Sequence, residues 1–132
     1  MTLDIATTVQ NAMLDAIEST VGTSAVLKIR TGAAPGIGSA DSGTVLATLN
    51  LPSDWMNAAS GGTKTLLGTW QDADADADGT AGHFRIYQSD GTTQMIEGTC
   101  GDVGTEDLVL DNAVIATGQQ VTITAFTLTA GN

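Results

Sequence analysis

Residues 83–97 constrain the fold of this chain more than any other segment, because they carry the pattern of a β-hairpin. Polar and apolar side chains alternate over residues 83–87, which places Phe84 and Ile86 on one face of a strand. Asp90-Gly91 then provides a turn, after which apolar residues return. We expect this hairpin to be the centre of a larger β-structure.

The register of the hairpin follows from its side chains. A two-residue turn would place Arg85 opposite Ile96, which pairs a charged residue with an apolar one. Shifting the register by one residue sets Arg85 opposite Glu97 and Ile86 opposite Ile96, so that each face is consistent. The sequence therefore predicts the shifted register, with a three-residue loop or a bulge around Gly91 that supplies the extra residue.

Shorter segments with similar patterns predict a mainly β fold. Only 4% of the residues are aromatic, and small and β-branched residues, which suit strands, are abundant. We expect further strands at residues 25–30, 44–51, 63–70, 107–110, 112–116 and 120–129. In the last segment the larger apolar residues change faces, which predicts a bulge near Thr124 or Ala125, or a strand buried on both faces.

Residues 3–21 have apolar side chains at helical spacing, which predicts an amphipathic helix. Thr2 or Asp4 suits its N-cap, and Gly22 suits the position just after its end. The apolar stripe consists of Ile5, Val9, Ala12, Met13, Ala16, Ile17 and Thr20 or Val21. The polar residues that lie away from it include Asn11, Asp15 and Glu18. The stripe either packs on the protein's own sheet or docks on a partner subunit.

These elements predict one domain over residues 1–132, a length that suits a single core. A helix at 3–21 precedes an antiparallel two-sheet β-sandwich at 25–129, with jelly-roll-like connectivity.

The charge of the chain narrows the choice of partners. The formal net charge is −11, with only 4 Lys and Arg residues, whereas binding to nucleic acid requires basic clusters. The same charge repels anionic lipid, and no apolar run approaches the roughly 20 residues of a membrane span. The N-terminus also lacks the pattern of a secretory signal. We expect neither nucleic acid nor a membrane as a partner.

An acidic run at residues 72–78 resembles the first half of a calcium loop. Its candidate metal ligands are Asp74, Asp76 and Asp78. Gly79 follows them as the D-x-D-x-D-G pattern requires, but the twelfth position, which should offer a carboxylate, is Arg85. The alternative is a solvated acidic loop without a cation. No other cofactor is expected, since the GxG sequence at residues 36–38 lacks the third glycine of a dinucleotide site.

The remaining candidate residues do not form catalytic machinery. His83 is the single histidine, and no nucleophile has a His-carboxylate pair in a motif context, so an enzyme is not expected. His83, Arg85 and Tyr87 share one strand face, which is either a binding patch or an ordinary solvent-facing row. Cys100 is either a buried thiol or half of an intermolecular disulfide.

Several blocks of sequence, in order along the chain, carry a resemblance to a known family. They are KIRTGAAP (28–35), TVLATLNLPSDW (44–55), GTAGHFRIYQSDGTT (79–93), IEGTCG (96–101) and GQQVTITAFTLTAGN (118–132). The chain resembles a family of small structural proteins encoded by tailed bacteriophages and prophages. The resemblance implies a component of the virion, made in the host cytoplasm, and supplies no catalytic residues. The acidic run departs from the family's pattern.

The resulting hypothesis is a non-enzymatic capsid decoration or cement protein. It binds the major capsid protein or other virion proteins as a homo-oligomer, with a trimer favoured. The candidate partner-binding residues are Ile5, Val9, Met13 and Ile17 of the helix and Pro35 and Ile37 of the exposed loop at 31–43. One alternative is a neck, collar or tail component. Another is a glycan-binding sandwich that uses Trp55, Trp70, Tyr87 and His83, with calcium on the acidic run.

Overall fold

The computed structural model describes residues 3–130, which form one helix and ten short strands. The helix is α1 (Thr7–Val21). The strands are β1 (Val26–Arg30), β2 (Val45–Asn50), β3 (Thr63–Thr65), β4 (Gln71–Asp72), β5 (Gly79–Thr80), β6 (His83–Tyr87), β7 (Gln94–Gly101), β8 (Leu108–Leu110), β9 (Val114–Ile115) and β10 (Val121–Thr129). The predicted mainly β fold with one N-terminal helix is confirmed.

The main sheet has the strand order β2-β1-β6-β7-β8-β10-β3, and β4 also pairs with β10. A small second sheet consists of β5 and β9. The main sheet is mixed rather than antiparallel, because β7 and β8 run parallel where Cys100 pairs with Leu108. The Asp107 side chain accepts a hydrogen bond from the Thr99 N–H (3.0 Å), which holds the chain alongside the end of β7 after a short loop.

Aromatic contacts show that the main sheet curls. Phe84 of β6 meets Phe126 of β10 edge to face, with ring centroids 5.7 Å apart. These strands are separated by β7 and β8 in the sheet order, so the sheet must bend for the two rings to touch. Trp70 packs against Phe126 on one side and Trp55 on the other, with centroids at 5.5 and 5.9 Å. The core therefore lies inside the curl.

The hairpin has the predicted register, with Arg85 opposite Glu97. The extra residue, however, is Met95 and not a residue near Gly91, because the register shifts between the last two residues of β6. The turn spans residues 89–92, so the predicted three-residue loop is also wrong. Asp90 accepts hydrogen bonds from the N–H groups that follow Gly91, which closes the turn and leaves the bulge within β7.

The bulge predicted in the last strand is confirmed. The pairing of β10 with β8 shifts between Ile123 and Ala125, so that Thr124 is the extra residue. Val121 and Ile123 before the bulge and Phe126 after it are all buried. One inserted residue thus turns both apolar sets toward the core.

Two element boundaries differ from the sequence prediction. Helix α1 begins at Thr7 and not at residue 3, with Ala6 as an N-cap that has no side-chain hydrogen bond, so Asp4 does not cap it. Thr2 lies outside the described residues. The predicted strand at 63–70 is regular only over β3, and the chain turns at Gly68 (φ 77°) to bring Trp70 into the core. Among the described residues no helix has the length and apolarity required to cross a bilayer.

Candidate functional site

Helix α1 contacts the rest of the protein mainly through the face that carries its polar residues, together with the buried Leu14 and Val21. The side-chain oxygens of Asn11 and Asp15 accept hydrogen bonds from the N–H groups of Gly62 and Ala59, both at 2.9 Å. Glu18 accepts one from the N–H of Met56 (3.1 Å). The sequence placed these polar residues away from the packing surface. That prediction is wrong, because the loop before β3 presents backbone donors that carboxylates and amides satisfy better than apolar side chains.

A buried lysine completes this contact. Lys64 of β3 is almost fully buried, and its Nζ lies 2.7 Å from Asp15 and 2.9 Å from Glu18. The hydrogen bond from Lys64 lowers the pKa of Asp15 below its ordinary value. Burial by itself lowers the pKa of Lys64, but the bonds and charges of both carboxylates outweigh it and raise that pKa. Lys64 was not singled out from the sequence, although it is a lone cation between two threonines.

The predicted apolar stripe therefore lies largely on the outside. Val9 is 50% exposed and Met13 is 43% exposed, while Ile5 and Ile17 are half-buried. Leu3, which precedes the helix, is 72% exposed. The helix packs on its own protein, as one interpretation held, but mainly with the opposite face. Within the stripe, Val21 is buried and Ile17 packs against the core, whereas Val9 and Met13 stay available to a partner.

Part of this stripe borders a groove that the sequence did not reveal. The groove has a volume of about 270 Å³ and is lined by Met13, Ala16, Ile17, Thr20, Val21, Met95 and Ile96. The bulge at Met95 explains how two consecutive residues of β7 come to line the same groove. Because the groove depends on the position of that bulge, it has no local signature in the sequence.

The loop at 31–43 covers the polar face of β6. The side chain of Arg85 is fully buried, and its Nε donates to Glu97 while Nη1 donates to Asp41, both at 2.6 Å. Nη2 and Nη1 also donate to the carbonyl oxygens of Gly36 (2.9 Å) and Ser39 (3.1 Å). The row of polar residues on β6 is therefore neither a solvent-facing row nor an accessible binding patch.

Asp41, a residue of this loop, is the carboxylate that binds several side chains of the sheet beneath the loop. It also accepts hydrogen bonds from the Tyr87 hydroxyl (2.8 Å) and from Arg30 (3.2 Å). Burial by itself raises the pKa of Asp41, but the bonds from Tyr87 and Arg85 and the two arginine charges bring it below its ordinary value. Burial, together with the bond to Asp41, raises the pKa of the Tyr87 hydroxyl. The loop is thus tied to the sheet by charge-assisted hydrogen bonds.

The tip of the loop is held from below while its apolar side chain points outward. The N–H of Gly36 donates to Glu97 (2.8 Å), and that of Gly38 donates to Gln94 (3.0 Å). Ile37, between them, is 55% exposed, whereas Pro35 is half-buried. Of the two predicted loop residues, Ile37 is therefore the one displayed to a partner.

The other end of the loop approaches β6 closely. Nδ1 of His83 lies 2.9 Å from the carbonyl oxygen of Gly32. A Cβ atom at Gly82 would lie only 2.2 Å from that oxygen, so this approach requires glycine. Nε2 of His83 and Nε of Arg30 are buried without a partner.

The acidic run lies along the edge of β2. Asp72 accepts a hydrogen bond from the Thr48 N–H and Asp76 accepts one from its hydroxyl, both at 2.9 Å. Asp78 accepts one from the Thr117 N–H (2.7 Å), which lowers the pKa of Asp78. Asp74, Asp76 and Asp78 are not brought together, and the part of the chain between residues 3 and 130 contains no group of three or more acidic, His or Cys side chains arranged to hold a metal ion. The calcium hypothesis therefore has no support from a cluster of ligands in the described residues.

The residues named for glycan binding lie inside the protein. Trp55, Trp70, Tyr87 and His83 are all fully buried. The two indole N–H groups donate to backbone carbonyl oxygens, of Gly22 (3.1 Å) and of Trp55 (3.2 Å). Their rings have no surface on which a sugar can stack, so the tryptophans close the core.

Cys100 is a free and buried thiol. Burial, assisted by the charge of Glu106, raises its pKa to about 12. A thiol that is both inaccessible and protonated at neutral pH is unsuited to an intermolecular disulfide or to nucleophilic chemistry.

Two surfaces remain as the candidate functional site. One is the helix surface, formed by Leu3, Val9 and Met13 with the adjacent groove, and the other is the loop surface at Ile37. Comparison of the chain with protein-family models, with curated proteins and with solved structures found no match. The resemblance to phage structural proteins therefore stays a prediction.

Proposed function

We propose that this chain is a non-enzymatic structural protein of a tailed-phage virion, in the role of a decoration or cement protein on the capsid. The observation that carries the proposal is the orientation of α1: its polar residues bind within the protein, and the part of its apolar stripe at Val9 and Met13 is exposed. Such a protein stabilises a shell by mass action, since it binds the assembled state and not the separate subunits. The family resemblance points to the same role.

The chemistry of the helix surface suits a protein partner. Val9 and Met13 are exposed apolar side chains, while Asp15 and Glu18 of the same helix are paired with the buried Lys64. Interface centres are depleted in charged residues and rich in apolar side chains such as methionine. In a chain with a net charge of −11, apolar side chains such as Val9 and Met13 offer a partner a contact without charge repulsion of their own.

The proposal includes the finer architecture expected from the sequence, a two-layer sandwich. The contact between Phe84 of β6 and Phe126 of β10 supports it, since it brings distant strands of one curled sheet face to face. The jelly-roll-like connectivity stays a prediction.

A neck, collar or tail position remains the alternative within the virion, since an apolar helix face serves a ring as well as a shell. The homotrimer and the location in the virion also stay predictions. Glycan binding is not retained, because all the aromatic residues that it requires are buried.

The test is incorporation into particles. Virions from the encoding phage or prophage are purified with wild-type chain, with Val9→Glu, or with the control Val103→Glu, which changes an exposed loop valine. We expect wild type and control in the particles and at least a tenfold loss of the Val9→Glu chain, measured by mass spectrometry. Cryo-microscopy then separates shell from neck or tail by symmetry. Absence of the wild-type chain from purified virions would refute the proposal.

A further inference from the structure

We infer that copies of this chain associate head to tail, with Ile37 of one copy inserted into the groove between α1 and β7 of the next. This goes beyond the proposed function, since it concerns contacts between copies and not contacts with a particle. It assigns an occupant to the groove and a partner to the displayed loop residue, while Leu3 and Val9, which do not line the groove, stay available to a particle.

Ile37 has the properties of an interface anchor. It is exposed, yet the residues on either side are held in place by Glu97 and Gln94. Beneath them the guanidinium of Arg85 binds the carbonyl oxygen of Gly36. A loop that is ordered before binding loses little conformational entropy when it docks. The favourable free energy of the Ile37 contact is therefore reduced only slightly by that entropy loss.

The groove has the complementary chemistry. Its lining contains Met, Ile, Ala and Val side chains with one threonine, and no charged residue. Its volume of about 270 Å³ exceeds the ~150 Å³ of an engineered apolar cavity that accepts benzene, so an isoleucine side chain fits within it. Met13 and Met95 are flexible and adjust to the shape of an inserted side chain.

The positions of the two features favour contact between copies over contact within one copy. On β7, the side chains of Gln94 and Glu97 bind the loop. Met95 and Ile96 line the groove. Loop and groove thus lie on opposite faces of the same hairpin, and Ile37 is not among the residues that line the groove of its own chain. An interface between two different surfaces of identical chains is heterologous, and it closes into a ring or extends as a filament.

Electrostatics supports this pair of surfaces. Chains of net charge −11 repel one another, so stable contacts are expected where local charge is lowest. On the helix side, no charged residue lines the groove, and Lys64 offsets part of the charge of Asp15 and Glu18. On the loop side, Asp41 is paired with Arg30 and Arg85. The competing arrangement, in which two α1 helices pack symmetrically, leaves Ile37 without a role.

The experiment uses three variants that each add one negative charge to the purified chain: Ile37→Glu, Met13→Glu and the control Val103→Glu. Light scattering after size-exclusion chromatography gives the mass at several protein concentrations in moderate salt, which screens the repulsion between chains. Thermal unfolding confirms that each variant is folded. If a glutamate variant does not fold, Ile37→Ser or Met13→Gln replaces it.

We expect wild type and the control to form a ring or larger assembly, and each interface variant alone to associate about 30-fold more weakly or worse. A 1:1 mixture of Ile37→Glu and Met13→Glu should form dimers, because it contains one intact loop and one intact groove per pair. Wild-type assembly that survives Ile37→Glu, a mixture that stays monomeric, or a wild type that is monomeric throughout would overturn the inference. None of these results depends on a virion, so they are separate from the test of the proposed function.

Discussion

At the scale of single residues, the buried guanidinium of Arg85 joins β6 to β7 through Glu97 and to the loop at 31–43 through Asp41. The same arginine occupies the twelfth position of the calcium-like pattern, where a carboxylate is required. Its pKa is raised, because its bonds to the two carboxylates outweigh the effect of burial. Arg85 therefore stays charged and holds the loop in place at any physiological pH.

Replacing Arg85 by methionine tests this role. We expect Arg85→Met to lower the free energy of unfolding by about 3 kcal/mol, because Glu97 and Asp41 lose their buried cation. Amide hydrogens of the loop at 31–43 should also exchange faster. Urea unfolding and hydrogen exchange measure the two effects. Lys28→Met, on the neighbouring strand opposite Arg85, is the control, with an expected loss below about 1 kcal/mol. Equal losses in the two variants would contradict the role of Arg85.

At the scale of secondary-structure elements, helix α1 is attached by hydrogen bonds and ion pairs more than by apolar packing. Only Leu14 and Val21 of the helix are buried, while Asn11, Asp15 and Glu18 bind the segments around β3. An amphipathic pattern therefore marks two faces but not which of them meets the protein. Here the buried cation Lys64 and the backbone donors beside it select the polar face.

Removing the charge of Lys64 should loosen the helix. We predict that Lys64→Met reduces the free energy of unfolding by about 2 kcal/mol, since Asp15 and Glu18 lose charge-assisted hydrogen bonds. Amides of α1 should exchange at least tenfold faster than in the wild type, with a smaller change in the central strands. The same Lys28→Met variant controls for loss of a lysine charge. If helix exchange in Lys64→Met matches wild type, the polar attachment of α1 is refuted.

At the scale of the whole molecule, two features shape the curled sheet. The aromatic contacts across the core join β6 to β10 and close the curl. The acidic run covers the outer edge of β2, where Asp72 and Asp76 bind Thr48 and the Asp76 N–H donates to the carbonyl oxygen of Leu46. An edge covered by carboxylates resists pairing with strands of other chains. This gives the acidic run a structural role that needs no cation.

Acid should destabilise the whole molecule. Asp15, Asp41 and Asp78 have pKa values below the ordinary 3.8, and the Thr93 hydroxyl and two N–H groups lower that of Asp90 to about 2. A lowered folded-state pKa gives stability that is present above 3.8 and is lost as pH falls through the folded-state value. Denaturant unfolding from about pH 6 down to about pH 2 should show this loss, and Asp41→Asn should lose less than wild type over that range. An unchanged midpoint across the range would contradict it.

By itself the amino-acid sequence determined the local features: the mainly β fold, the helix near its N-terminus, the pairing of Arg85 with Glu97 and the bulge at Thr124. These follow from periodicity and from neighbours across one turn, which a short window of sequence contains. Only the tertiary structure decided which face of α1 is outward, that Arg85 is buried beneath the loop, and that Met95 opens the groove. Each depends on partners distant in the chain, such as Lys64 for Asp15 and Asp41 for Arg85, whose proximity exists only after the sheet has curled.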